Sequence, residues 1–110
     1  MKRHIYYVLN EHGEPKPATS LEEIERFLHS RDRRVAYDEV GEWQVSTVFL
    51  CVDYNFGGSH PILWETMVFN AQLEYRHLIR CGGSREQAEA MHHKALTTLH
   101  NSLPKDMFPQ

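Results

Sequence analysis

The chain is short of most features that advertise a function. It has only two cysteines, Cys51 and Cys81, without the paired spacing that builds a zinc site or a disulfide framework. Both are expected to be reduced thiols. No apolar run approaches membrane-spanning length, and the stretch from Ile5 to Leu9 after the basic start is too short for a signal-peptide core. A cytoplasmic protein with no membrane partner is the expectation. Positive charge is scarce too: 12 Lys and Arg stand against 15 Asp and Glu, a formal charge of -3. Binding along a nucleic-acid backbone needs clustered cations. The one dense run, Arg31-Asp32-Arg33-Arg34, is interrupted by an acid and reads as a solvated helix end. Nucleic-acid binding through those arginines and exposed aromatics ranks third among the readings. Phosphate-loop, dinucleotide and nucleophile-elbow patterns are all missing.

What is present fits one folded domain spanning residues 1–110, with 41% apolar and 25% charged residues. Such a domain can bury a core without disulfides or metal. His4–Leu9 reads as a strand, and the Gly- and Pro-bearing segment to Thr19 as a loop. Ser20 stands three residues before Glu23, a spacing in which each side chain can satisfy the other's backbone N–H. Leu21, Ile24, Phe27 and Leu28 then continue at helical spacing. Arg34–Glu39 reads as a strand, Gly41 as a turn, and the long run Glu42–Tyr54 as a central strand rich in Val, Thr and aromatics. After a loop, Ile62–Phe69 is another strand with Pro61 at its entrance. The run Leu73–Cys81 fits a fifth strand, with helix as the alternative for 71–78. Beyond Gly82-Gly83, Ser84 and Gln87 cap a second helix whose apolar stripe is Ala88, Met91, Ala95, Leu99 and Leu103, and Pro104 stops it. The order β-α-β-β-β-β-α predicts an α+β domain: an antiparallel meander of about five strands with two helices.

Two features of the sheet bear on function. Both sides of the central strand are apolar, with Val45, Phe49 and Cys51 on one and Val48, Leu50 and Val52 on the other. A sheet with one wet face should alternate. Two modest helices can cover one face, so the other is expected to meet a partner, most economically a second copy in a homodimer. The alternative is that the helices divide between the faces. The second feature is Glu65, a carboxylate inside a strand that otherwise reads as buried. Such a group needs a charged or hydrogen-bonded partner. Its structural reading is a bridge to Arg or His of a neighbouring element, and its functional reading is acid–base work or gripping a ligand.

Asp53, Tyr54, Phe56, Gly57, Gly58, His60 and Glu65 make the candidate ligand-binding set, since a glycine loop at a strand end can offer backbone N–H groups. If the protein were an enzyme, Glu65, Asp53 and His92 would be its catalytic candidates. They would then converge in one cleft, as in a small hydrolase or nucleotide-processing protein. Eight histidines are present, but His92 and His93 point about 100° apart on a helix. A metal would have to be gathered from Asp53, His60, Glu65 and His92, so no metal or cofactor is expected. His92 borders the buried stripe of the last helix and reads as a hydrogen-bonded core residue.

The block Val45–Phe69 resembles a group of small tailed-phage and prophage proteins with the pattern S-T-V-F-L-G-L-D-H-x-F-G-G, then P-x-L-F-E-T-M-V-F, then a helix opening like T-W-E-E-A. Ser46–Leu50, Asp53, Phe56–Gly58, Pro61, Leu63 and Glu65–Phe69 match, and Ser84, Gln87, Ala88 and His92 correspond to the helix, which carries a His in the pattern. Cys51 stands in place of a Gly and Tyr54 in place of a His. The resemblance implies a phage-derived accessory protein and carries no activity with it. The leading expectation is therefore a non-catalytic module that binds a host protein or a small ligand, with defence inhibition the analogy for its role.

Overall fold

A computed structural model describes residues 5–55, 60–72 and 74–102, with backbone alone at 75–77. It is an α+β domain built on an antiparallel sheet. β3 (Arg34–Val40), β4 (Trp43–Phe49), β5 (Ile62–Asn70) and β6 (Tyr75–Gly82) pair in chain order. The run from Tyr75 is thus a strand and not a helix. The meander has four strands rather than about five, because the first strand lies outside it. β1 (Tyr7–Leu9) pairs instead with β2 (Pro15–Pro17), a strand in the segment read as loop. Prolines cannot donate to a ladder, so Pro-Lys-Pro can pair only as an edge, and nothing in its composition suggests a strand.

The helices follow their capping signals. α1 (Leu21–Leu28) starts at Ser20, whose Oγ accepts the N–H of Glu23 at 3.1 Å. The return bond is displaced by one residue: Glu23 accepts the N–H of Thr19 at 2.9 Å rather than that of Ser20. That bond, more than the nearby Lys16, holds the Glu23 carboxyl below its ordinary range. α2 (Arg85–Ser102) has the full reciprocal box. Ser84 Oγ accepts the N–H of Gln87, and Gln87 Oε1 accepts the N–H of Ser84. The box needs Gly83, which has φ +64°, because a β-carbon there would collide with the Gln87 amide. The stop at Pro104 and the stripe position Leu103 lie outside the described residues.

Both helices lie toward one face of the four-stranded sheet. α2 packs along it, burying Val45 and Val68 against Ala95 and Leu99, and Phe49 and Trp64 against Ala88. α1 inserts Phe27 edge-on against Phe49 at 5.7 Å. Strand alternation places Val48, Glu65, Met67 and Leu78 on the opposite face. Leu63, which strict alternation would put on the side of Glu65, is turned into the core by a register shift between Ile62 and Trp64. One extra residue in a bulge reverses the alternation at that point.

The long central run is also shorter than expected. β4 ends at Phe49, and Cys51 takes φ +65°. Beyond this kink the chain pairs with the N-terminal segment, through Tyr7 N–H to Cys51 O at 2.9 Å and Asp53 N–H to Ile5 O at 2.8 Å. Left-handed backbone is costly for any residue with a β-carbon and worst for β-branched ones. Cys51→Val should therefore lower stability by about 2 kcal/mol, although Val suits ordinary strand positions, whereas Cys51→Gly should change it little. Urea unfolding of the two variants reads the contrast. Burial also pushes the Cys51 and Cys81 thiols above their ordinary range. A thiol reagent in mildly alkaline buffer should label Cys51 only as the protein unfolds.

Candidate functional site

Glu65 answers to Arg80. The two are directly opposite on β5 and β6, and Arg80 Nε donates to Glu65 Oε2 at 2.8 Å. The carboxylate is nearly buried and the guanidinium partly exposed. Tyr54, from the segment after β4, lies over the guanidinium with 4.3 Å from Arg80 Cζ to the ring centroid. Cation–π stacking thus fixes the arginine from above while the carboxylate holds it from the side. The structure brings Tyr54 and Glu65 together through Arg80, a residue the sequence did not single out.

Around this triad the face carries apolar side chains over which no helix or strand of the described residues lies. Val48, Met67 and Phe69 are half-buried, while Tyr37 and Leu78 are 38% and 43% exposed. Leu28 and the 3-10 turn that follows α1 (Arg31–Arg33) line a hollow beside Val48 at one corner. The residues Tyr37, Ser46, Met67 and Leu78 stand in one row straight across the four strands. Tyr37 Oη donates to Glu39 at 3.1 Å, and desolvation first, then this bond, pushes the phenol up from its ordinary range.

Asp53 has a different job. It is buried, and its Oδ1 accepts the N–H groups of Asn55 at 2.7 Å and Ile62 at 2.9 Å. Asn55 Nδ2 in turn donates to the carbonyl of His60. The aspartate therefore closes the base of the loop, as Asx turns do. His60 is exposed and lines a groove of about 1060 Å³ with Tyr7, His12 and Arg85, away from Glu65. Phe56, Gly57 and Gly58, the rest of the candidate set, lie outside the described residues.

His92 lies across the sheet from Glu65. Its Nε2 is 2.8 Å from Asp38 Oδ2, and its Nδ1 is 2.7 Å from Thr47 Oγ1, which is 2.6 Å from Thr66 Oγ1. A carboxylate cannot donate, so Nε2 carries the proton. In the neutral ring Nδ1 then accepts from Thr47, and Thr47 accepts from Thr66. The order carboxylate, imidazole, hydroxyl is that of an acyl-transfer relay. Here, however, both threonines are fully buried, and no substrate can reach the hydroxyl. This is a satisfied polar network in the core, the role expected of His92. Its partners could have been suspected from Asp38, which alternates with Ala36 and Val40 on the helix-facing side of β3.

The three candidate catalytic groups therefore do not converge. Glu65 and His92 occupy opposite faces, and Asp53 is committed to its loop. Among the described residues no three His, Cys, Asp or Glu side chains are grouped to hold a metal ion, and no helix is long and apolar enough to cross a membrane. Compared with protein-family models, with curated proteins and with solved structures, the chain matches none.

Proposed function

We propose that this protein is a non-catalytic binding module that forms a homodimer through the face of the sheet its own helices leave bare. The observation that carries the reading is the one-sided arrangement of α1 and α2. It leaves Val48, Met67, Phe69 and Leu78 around a Glu65–Arg80 pair that is already neutral. A charge pair closed on itself suits a surface with no net charge, and a second copy provides one. A two-fold axis along the strands, between β4 and β5, would set Tyr37 of one protomer on Leu78 of its partner and Ser46 on Met67. Strands of seven residues at ordinary rise and spacing give a plan area of roughly 400 Å² per copy. The two copies together then bury about 800 Å², below the roughly 1,000 Å² of a stable interface, so the association is weak and transient.

The origin we propose, a phage or prophage accessory protein directed at a host protein or small ligand, rests on the sequence resemblance in Val45–Phe69. The enzyme alternative loses its footing with the separation of Glu65, Asp53 and His92. Light scattering across a micromolar concentration series tests the dimer. The mass should rise from one chain to two. A constant single-chain mass at high micromolar concentration removes the proposal.

A further inference from the structure

The hollow at the corner of the bare face has a volume of about 490 Å³ and is lined by Leu28, Ser30, Arg31, Arg33, Arg34 and Val48. Three of these six are arginines, and no acid among the described residues lines it. Among the described residues none of the three forms an ion pair. Arg33 Nε donates to the carbonyl of Phe49 at 3.0 Å, which fixes its stem and leaves its terminal nitrogens for a ligand. Arg34 lies over the Tyr37 ring at 4.8 Å, on the bare-face side. Stacking uses the flat of a guanidinium and leaves its N–H edge open. Arg31 is exposed. The nearest candidates to cancel this charge are occupied elsewhere. Asp32 lines a different cavity, and Glu65, opposite Val48, is answered by Arg80.

The apolar half of the hollow is Leu28, 43% exposed, and Val48. Val48 belongs to the bare face as well, and Met67 stands about 8 Å from it on β5 at ordinary rise and spacing. An anion seated among the arginines therefore has an apolar path beside it. Guanidinium forks match the two oxygens of a carboxylate, and exposed Leu and Val gain from an alkyl cover. The volume falls in the range of small-molecule sites. The positive excess is local, on a chain of formal charge -3, which suits one carboxylate and not a polyanion. The geometry points to a binding site for a single-chain aliphatic carboxylate, its head among Arg31, Arg33 and Arg34 and its tail on Leu28, Val48 and Met67. The inference does not rest on the homodimer, since the arginines and Leu28 stand in each chain by itself. The tail shares Val48 and Met67 with the dimer contact, so a bound alkanoate should oppose self-association.

Octanoate, acetate and octanol test it, titrated separately against the whole chain at a concentration where it is monomeric and followed by amide chemical shifts. Octanoate should perturb the amides of Leu28, Arg31, Arg34 and Val48, and its binding should weaken as salt is raised. Acetate and octanol each keep half of the ligand and should bind at least about tenfold more weakly. The Arg31→Gln/Arg34→Gln variant should lose at least about tenfold in octanoate affinity, and Leu28→Ser should weaken octanoate while leaving acetate unchanged. All three side chains are exposed, so unchanged melting curves are expected and show that the variants still fold. No octanoate binding at millimolar concentration, shifts elsewhere, or equal affinity in the double variant would overturn the assignment. Octanol binding as tightly as octanoate would remove the arginines from the site, and acetate doing so would remove the tail. A chain that self-associates yet ignores octanoate refutes this site alone. One that binds octanoate but stays monomeric at every concentration refutes the dimer alone.

Discussion

Replacing Met67 with aspartate should leave the fold in place and abolish self-association. Met67 sits in the middle of the bare face, half-buried, with Ser46 and Leu78 beside it in the row and Glu65 two residues away on the same side. In a single protomer the new carboxylate keeps access to water, so the loss of stability should stay near 1 kcal/mol. In the dimer it would be desolvated at the centre of the contact and set near Glu65, with no cation left free by the Glu65–Arg80 pair. A central anchor changed in this way weakens association by roughly a hundredfold. Sedimentation of wild type and variant at matched concentration reads the difference. If the variant sediments as wild type does, Met67 is not in the interface and the proposed face is wrong.

The second large effect belongs to the other side of the sheet. His92→Ala should destabilise the domain by about 2–4 kcal/mol, combining a cavity against β4 with the loss of a partner for Thr47. Thr47→Val should cost about 1–3 kcal/mol by leaving Nδ1 of His92 unpaired in the core. Since both changes break one connected chain from Asp38 to Thr66, the double variant should cost less than the sum. Chemical denaturation of the three variants tests this. Additive effects, or a change under half a kcal/mol for His92→Ala, would show that the network holds nothing together.

Local signals were legible in the sequence, and pairings across the chain were not. The Ser84–Gln87 box reads directly because its partners are three residues apart. Glu65 could be marked as a carboxylate in need of a cation, but naming Arg80 requires the β5–β6 register, and a register shift interrupts that ladder near Trp64. The same bulge hid the inward turn of Leu63. Cys51 gave no sign of a left-handed kink, since thiols have no preference for that conformation. β2 was invisible because its strand character comes from its neighbour and not from Pro-Lys-Pro. The apolar residues on both sides of β4 were plain from the missing alternation. That both helices take the same side is visible only in the fold.

The most direct measurement is an isotope-filtered NMR experiment on a mixture of labelled and unlabelled chains, read for contacts between the Tyr37 ring and the Leu78 methyls. Within one chain these side chains stand three strands apart, about 14 Å, beyond the reach of a nuclear Overhauser effect. Dimerisation through the bare face predicts a cross-peak between them, with others linking Met67 and Phe69 to the second chain. A sample with no interchain cross-peak to any of these four residues would contradict it.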